Sequence, residues 1–295
     1  MSQTRAATLR ASAKVNLALH VTGRRADGYH LLDSIAVFTD FADVVAITPA
    51  EKLSLTLSGP FASHAPGDPS DLAWRAADAF FRNAGLPQRA AVRIEKNIPA
   101  GAGLGGGSAD AAAVLLGLNR ISGIPLSARE LAAIALSLGA DVPMCLVGHA
   151  LRARGIGEII DPVENWPALP LLLVWPGQPV STPACFGALA TRDNPALPEL
   201  PGAKTVADAA RWLGGCRNDL EASAVGLQPA VGDVLAALRG TGGCLLARMS
   251  GSGSACFGLY TSLSAAEGAA GAVAAGYPDW WVAPTLAKNR TSAQA

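Results

Sequence analysis

A run of small residues from Pro99 to Ser108 carries the clearest chemical signal in the sequence. Seven of the ten residues in PAGAGLGGGS are Gly or Ala, and Gly105–Gly107 are three consecutive glycines. Backbone without bulky side chains approaches a ligand closely, and the free N–H groups of a following helix attract anions. The run therefore predicts a phosphate-holding loop, in which Ser108 either caps the helix or offers its hydroxyl to a phosphate or Mg²⁺. A plain glycine turn is the alternative.

Two other phosphate-binding motifs compete for the same run. The P-loop motif needs a Lys directly after its glycines, and none follows here. Gly101, Gly103 and Gly106 do spell G-x-G-x-x-G, but residues 97–100 separate them from the preceding strand and residues 119–127 contain no acid. A dinucleotide-binding loop should open directly from a strand and has an acidic residue about 20 positions on. The sequence therefore argues against both motifs.

Three polar residues are candidates for a role in chemistry, each with a structural alternative. Lys14 and Asn16 share one side of a predicted strand, because side chains alternate along a strand. A solvent-facing Lys is the simpler interpretation of that pattern. Asp141 lies in the apolar run LGADVPMCLVGHA, where a carboxylate has to be paired, hydrogen-bonded or functional.

Aromatic and hydroxyl residues follow two further turns. Tyr29 and His30 come directly after Asp27-Gly28, and such a pair can stack on a base or sugar or pack on the protein surface. Thr182 and Phe186 lie in VSTPACF and carry the same ambiguity. A second glycine cluster, MSGSGSACF at 249–257, favours a hairpin turn, although it could also approach a ligand or the first loop.

Hydrophobic periodicity predicts the elements that position these residues. Strands are expected over 8–21, 35–47, 52–58, 91–96 and 169–177, and a strand–glycine–strand segment over 244–260. Helices are expected over 71–84, 108–119, 128–138, 205–213, 229–239 and 263–275. Ser127 is the expected N-cap of the third helix and Gly139 its left-handed end. The mixture predicts an α+β protein in two lobes, with a boundary near residue 162.

The composition of the chain argues against several classes of binding partner. The net charge is zero, with 23 basic and 23 acidic residues, which argues against nucleic acid or a membrane surface as a partner. Five scattered cysteines form no C-x-x-C pair and argue against a disulfide framework or a zinc site. No apolar run reaches the roughly 20 residues of a membrane helix. We expect a cytoplasmic protein that is a monomer or a weak homodimer.

Six segments occur in a specific order: ASAKVNLALHVTGRRADGYHLLDSI, KNIPAGAGLGGGSADAAAVL, SLGADVPMCL, STPACF, CRNDLEA and MSGSGSACFGLY. This order resembles the GHMP kinase superfamily from about Arg10 to Tyr260. GLGGGSADA is typical of the superfamily, whereas the segment around GRRADGYH and the LGADVP motif resemble its member in the non-mevalonate isoprenoid route. The resemblance implies a two-lobed GHMP kinase fold with the active site in the cleft between the lobes. It assigns residues 1–162 to an ATP-binding domain and residues 163–295 to a C-terminal domain.

The resemblance also implies an activity, which is phosphorylation by ATP of the 2-hydroxyl of a methylerythritol that carries a cytidine diphosphate group, with Mg²⁺. The implied catalytic residues are Lys14 and Asp141, and Lys96 lies near the nucleotide. The implied substrate residues are Tyr29 and His30, which hold the cytidine base, and Phe186, which completes the sandwich around it. Asn16 and Thr182 are the implied polar contacts. The implied ATP phosphate loop comprises Pro99, Ala100, Gly101, Ala102, Gly103, Leu104, Gly105, Gly106, Gly107, Ser108 and Ala109.

One position departs from the superfamily pattern, and two other functions stay open. Asp71 stands where the family has an Asn beside the adenine. A GHMP kinase that acts on a sugar or a mevalonate-like acid would share the glycine loop. A nucleotide-binding module without catalysis would share it as well, although the presence of both Lys14 and Asp141 argues against that alternative.

Overall fold

The structure, a computed structural model, describes residues 6–164 and 166–287. Its strands are β1 (Ala7–Arg24), β2 (His30–Pro49), β3 (Ser54–Ser58), β4 (Ala90–Glu95), β5 (Leu151–Gly155), β6 (Ile159–Pro162), β7 (Leu169–Trp175), β8 (Leu246–Met249), β9 (Cys256–Leu259) and β10 (Trp281–Ala287). Its helices are α1 (Leu72–Ala84), α2 (Gly106–Ile121), α3 (Ala128–Leu138), α4 (Val142–Val147), α5 (Thr182–Gly187), α6 (Val206–Gly214), α7 (Glu221–Leu227), α8 (Ala230–Gly240) and α9 (Leu263–Gly276).

The chain divides into two compact units whose segments alternate along the sequence. The first unit contains the residues up to Ala13, Phe41–Ala100 and Gly105–Gly148, and the second contains Lys14–Asp40, Gly101–Leu104 and the chain from His149 on. Strands β1 and β2 contribute residues to both units, and so does the glycine loop. The boundary near residue 162 divides the sequence at a single place and stays a prediction.

The first unit packs helices against a small sheet. Residues 44–49 of β2 pair antiparallel with β4, and β3 pairs parallel with β4. Parallel neighbours need a long crossover, and α1 lies in the connection from β3 to β4. Helix α2 packs so closely on the sheet that a Cβ on Gly117 would lie 2.5 Å from Cδ1 of Ile47. That glycine therefore lets helix and sheet meet.

The second unit contains a larger sheet with its own core. Residues 32–36 of β2 pair antiparallel with β5, which pairs with β6. Strand β7 pairs antiparallel with both β9 and β10, and β9 pairs with β8. All seven residues of β7 are buried, as is usual for a central strand that is covered on both faces. Val231, Val234 and Leu238 of α8 pack in the same core.

The α+β class is confirmed, because helices and strands intermix without regular β-α-β alternation. Ser127 caps α3 as predicted, in a reciprocal capping box with Glu130. Gly139 ends α3 as predicted, but its expected left-handed conformation is wrong, because its φ of 167° is ordinary extended backbone. Within residues 6–164 and 166–287, no helix combines the length and hydropathy needed to cross a membrane.

Candidate active site

In the first unit, the glycine loop ends at the N-terminus of α2. Helix α2 begins at Gly106, two residues before the predicted start, and Gly105 is its N-cap in the left-handed region with a φ of 67°. No side chain caps this end, so the capping role considered for Ser108 is wrong. The N–H groups of a first helical turn have no partner within the helix. A Cβ on Gly107 would meet no heavy atom of the described residues within 4 Å, so the space beside this turn is open.

In the second unit, the middle of the loop, Gly101–Leu104, is held by the Ser250–Ala255 loop. This second loop is the turn between the antiparallel strands β8 and β9, so the predicted hairpin is confirmed. The N–H of Ala255 donates to the carbonyl of Ala102 (2.8 Å). A Cβ on Gly103 would lie 2.7 Å from the carbonyl oxygen of Gly253 and 2.8 Å from that of Ser250. Only glycine fits at position 103, because protein backbone occupies the place of its side chain.

The Ser250 hydroxyl joins β1 to the middle of the glycine loop. It accepts from the N–H of Asn16 (3.1 Å) and donates to the carbonyl of Gly103 (3.2 Å). The Asn218 side chain holds the same turn, because its Nδ2 donates to the carbonyls of Met249 and Gly251, both at 2.8 Å. The two glycine-rich segments of the second unit therefore form one hydrogen-bonded assembly.

Lys14 and Asn16 lie beside this assembly on β1, and both are buried. The solvent-facing alternative for Lys14 is therefore excluded. The N–H of Lys14 donates to the carbonyl of Leu104 (2.9 Å), which connects the strand to the end of this loop segment. The Nδ2 of Asn16 donates to the Ser34 hydroxyl (2.8 Å).

Asp141 stands in the first unit, directly before α4. It is half-buried, and its carbonyl accepts from the N–H of Cys145 (3.1 Å). Its carboxylate makes no capping hydrogen bond to α4, whose first turn contains Pro143. The carboxylate is therefore not committed to the helix that follows it.

His30 and Phe186 stack on each other in the second unit. Their ring centroids are 4.8 Å apart with an interplanar angle of 21°. This distance leaves no room for a base between the two rings, whereas the neighbouring Tyr29 is 61% exposed. The Nε2 atom of His30 is buried and has no hydrogen-bond partner among the described residues. Burial, and after it the charges of Arg24 and Arg192, lower the pKa of His30, so its ring is neutral at pH 7.

Thr182 is the first residue of α5, the short helix that also carries Phe186. The hydroxyl of Thr182 lies 2.7 Å from that of Ser252, within hydrogen-bond distance. The predicted substrate contact is therefore also attached to the Ser250–Ala255 loop.

Lys96 is buried in the first unit within an acidic pair. Its Nζ contacts the carboxylates of Asp43 and Asp110, and its side chain is 4% exposed. Burial disfavours its charge, but the two carboxylates outweigh burial and raise the pKa of Lys96. Burial raises the pKa of Asp110 to about 8. A Cβ on Gly106 would lie 3.7 Å from Nζ, so the cluster sits directly under the first turn of α2. The predicted contact of Lys96 with the nucleotide stays a prediction.

Asp71 has a structural task. It is the N-cap of α1, with one carboxylate oxygen accepting from the N–H of Ala73 (2.9 Å) and the other from the N–H of Gly67 (3.3 Å). Asp and Asn are equally good N-caps. The departure from the family pattern at this position is therefore compatible with the same local fold.

The irregular segment 188–204, which lies between α5 and α6, is hydrogen-bonded to the second unit at several points. Nδ1 of His20 lies 2.9 Å from the carbonyl of Pro195, and the N–H of Leu197 donates to the carboxylate of Asp33 (2.9 Å). Asn194 donates to the carbonyl of Val21 (3.1 Å). Sequence reasoning missed these contacts and those of Ser250 and Asn218, because each joins residues more than 30 positions apart.

The sequence is similar to a family of known kinases. Residues 71–149 match the family described as GHMP kinases N terminal domain, and residues 195–279 match GHMP kinases C terminal. A relative from Paracoccus denitrificans is 52% identical over 274 residues, which span 92% of this chain and 94% of that protein. One from Cereibacter sphaeroides is 51% identical over 280 residues, which span 93% and 96%. Both relatives are named 4-diphosphocytidyl-2-C-methyl-D-erythritol kinase. The chain belongs to this kinase family.

A solved structure of a 4-diphosphocytidyl-2-C-methyl-D-erythritol kinase supports the same assignment. It is 36% identical, covers 96% of this chain and 100% of its own, and superposes with a TM-score of 0.79. The protein therefore has the GHMP kinase fold and is an ATP-dependent small-molecule kinase. The predicted boundary near residue 162 falls between the two matched domain ranges.

Proposed function

We propose that this protein transfers the γ-phosphoryl group of ATP to the 2-hydroxyl of 4-diphosphocytidyl-2-C-methyl-D-erythritol. The observation that carries the proposal is the identity of about half the residues over nearly the whole chain with kinases named for that substrate. In the reaction the bond between the γ-phosphorus and its bridging oxygen breaks, and a bond forms to the substrate oxygen. ADP leaves, and the proton of the hydroxyl is lost.

The phosphates of ATP bind along Pro99–Ala109 in this proposal. The open first turn of α2 supports it, because a helix N-terminus with free N–H groups and a favourable dipole attracts anions. The hydrogen bonds that fix Gly101–Leu104 in the second unit support it as well, since a rigid loop loses little entropy on binding.

Cytidine binding belongs to Tyr29, His30 and Phe186. The exposed ring of Tyr29 and the outer face of the His30–Phe186 stack supply the aromatic surface that a base needs. The unpartnered Nε2 of His30 supports a hydrogen bond to the edge of the base, because a buried polar atom without a partner is costly. Asn16 and Thr182 add polar contacts to the rest of the substrate.

Lys14 and Asp141 carry the chemistry in this proposal. Phosphoryl transfer depends on positioning and on stabilising negative charge more than on covalent catalysis. Asp141 orients the substrate hydroxyl and accepts its proton, and Lys14 stabilises the charge of the transferring group. The burial of Lys14 supports this role, since charge interactions strengthen away from water.

Mg²⁺ fits the same site, because the half-buried Ser108 hydroxyl has no hydrogen-bond partner among the described residues and is an oxygen ligand of the kind Mg²⁺ accepts. When bound, the ion neutralises charge on the phosphates. We further propose a cytoplasmic monomer or weak homodimer, in agreement with five cysteines that form no disulfide within the described residues.

A coupled assay of ADP release tests the substrate assignment. We expect turnover with 4-diphosphocytidyl-2-C-methyl-D-erythritol and background rates with methylerythritol 4-phosphate, homoserine, mevalonate and galactose. Faster turnover of one of the alcohols without cytidine would reassign the protein within the GHMP kinases. ATP binding without turnover of any of them would leave only a nucleotide-binding module.

Asp141→Asn tests the chemistry. We expect kcat to fall by about 10²–10⁴-fold, the usual contribution of acid–base catalysis, with calorimetric affinities for ATP and substrate within about threefold of wild type. Asp161→Asn is the matched control, because Asp161 forms an exposed ion pair with Arg154 and should leave kcat unchanged. A near-normal kcat in Asp141→Asn would remove Asp141 from the reaction.

A further inference from the structure

The irregular segment after α5 carries Arg192, whose charge has no counterion among the described residues. Nη2 of Arg192 donates to the carbonyl of Gly187 (3.1 Å), the residue next to Phe186. Its Nε is buried and has no hydrogen-bond partner among the described residues. No carboxylate of the described chain pairs with this half-buried guanidinium. A cation held in place without a partner is costly unless a ligand supplies the negative charge.

A second arginine, Arg24, lies at the turn that precedes Tyr29 and His30. Nε of Arg24 donates to the carbonyl of Gly28 (3.2 Å), the residue before Tyr29. Arg24 is exposed and has no carboxylate partner among the described residues. Each of the two guanidiniums is thus tied to the backbone beside one of the aromatic residues.

Both charges act on His30. The pKa of His30 is lowered by burial and then by the positive charges of Arg24 and Arg192, and no carboxylate of the described chain offsets them. Two positive charges thus lie near His30, which suits a ligand that joins an aromatic base to an anion.

The other arginines of the second unit are engaged differently. Buried Arg248 donates to three backbone carbonyls. The remaining described arginines each lie within 4 Å of a carboxylate, in the pairs Arg25–Asp27, Arg152–Asp33, Arg154–Asp161, Arg211–Asp208, Arg217–Asp219 and Arg239–Glu221. Arg24 and Arg192 are the exceptions within the described part of this unit, and both flank the proposed base-binding surface.

We infer that Arg192, together with Arg24, binds the diphosphate group of a nucleoside diphosphate substrate and so makes the site specific for it over a nucleoside or a free alcohol. The inference rests on the proposed function. A guanidinium matches phosphate oxygens with two parallel hydrogen bonds, and its charge persists at any physiological pH. Arg192 as a residue is half-buried, and the contact of Nη2 with the carbonyl of Gly187 is the one hydrogen bond its guanidinium makes within the described chain, which leaves further N–H groups for a phosphate.

Calorimetric titration with cytidine, CMP and CDP tests the inference. Wild type should bind CDP at least tenfold more tightly than cytidine, since hydrogen bonds to charged groups contribute this much. Arg192→Gln should weaken CDP binding about tenfold or more and leave cytidine binding within twofold. Arg192→Lys keeps the positive charge but lacks the planar guanidinium, so its affinity for CDP should lie between those of wild type and Arg192→Gln. Arg24→Gln should weaken CDP binding less, because Arg24 is exposed.

Arg211→Gln is the matched control, since Arg211 is 77% exposed on α6 and pairs with Asp208. Far-ultraviolet circular dichroism and the urea midpoint confirm that each variant is folded. Equal losses of CDP and cytidine affinity in Arg192→Gln would show that the arginine only packs the loop, and unchanged CDP affinity would show no contact at all. Either result overturns the inference while a wild type that turns over the substrate keeps the proposed function. A wild type that binds neither CDP nor cytidine overturns the inference, and the proposed function is overturned with it when ADP release is absent as well.

Discussion

The substitution Gly107→Ala, at the start of α2, should raise the stability of the protein and weaken its binding of phosphate. A Cβ on Gly107 would meet no heavy atom within 4 Å, and Gly107 lies inside the helix without a positive φ. Replacing such a glycine by alanine stabilises a protein by about 0.5–1 kcal/mol, because the unfolded chain loses freedom. We therefore expect the free energy of unfolding in urea, measured without nucleotide, to rise by that amount.

The same methyl group should weaken ATP binding. The Cα–Cβ bond in a helix tilts toward the N-terminus, which is the direction of the proposed phosphates. Crowding in a well-packed site costs about 1–3 kcal/mol. At 1.4 kcal/mol per factor of ten, this corresponds to an increase of about 5- to 150-fold in the calorimetric Kd for ATP. Stability and affinity should thus change in opposite directions.

Gly103→Ala is the comparison that shows the reverse pattern. Its Cβ would lie 2.7 Å from the carbonyl oxygen of Gly253, at a φ of +79°. Together, the left-handed backbone and the overlap should cost at least about 2 kcal/mol of stability. A Gly107→Ala protein that is more stable and binds ATP as tightly as wild type would refute phosphate binding at this turn. A Gly107→Ala protein that is less stable than wild type would refute the conclusion that the space beside the first turn of α2 is open.

Two further predictions concern carboxyl groups. Asp71→Ala should lower the free energy of unfolding by about 1 kcal/mol, measured in urea, because the N-cap of α1 is lost, while the Kd for ATP stays within twofold. The pKa of Asp110 rises from 3.8 to about 8 on folding. Between these pH values the unfolded chain releases a proton that the folded protein keeps, so stability falls as pH rises. Asp110→Asn removes this contribution, and its stability relative to wild type, from urea unfolding at pH 5, 6.5 and 8, should increase with pH. Parallel curves for the two proteins, with Asp78→Asn as the surface control, would contradict the buried protonated carboxyl.

Much of the secondary structure follows from local pattern. The helix predicted over 71–84 is α1 at Leu72–Ala84, and the strand predicted over 52–58 is β3 at Ser54–Ser58. Strand β10 was missed, although it pairs with β7 along all seven of its residues. Pro284 stands in its middle, and a proline inside a run argues against a strand. Its partners lie more than 100 residues away, so no local pattern could have revealed them.

Some residues of the candidate site could likewise be predicted from the sequence, and others could not. The glycine loop points to chemistry by its composition alone, whereas Lys14 and Asp141 became catalytic candidates only through the resemblance to the GHMP kinases. Ser250 could not be recognised by this route, because its task depends on contacts with Asn16 and Gly103, which are far away in sequence. Arg192 was missed for a related reason. A charged residue in an irregular polar segment looks ordinary until the structure shows that no carboxylate of the described chain pairs with it.

The glycine loop shows why a residue type alone did not settle the function. Gly103 and Gly107 are four residues apart in one small-residue run, yet only the first is required by the fold. Protein backbone fills the position of a side chain at Gly103, whereas no atom of the described residues fills it at Gly107. A glycine inside a helix lowers its stability, and at Gly107 no packing contact requires one. Its presence at the open end of α2 is therefore best explained by a ligand that approaches the backbone there, which is what the opposite shifts in stability and ATP affinity would measure.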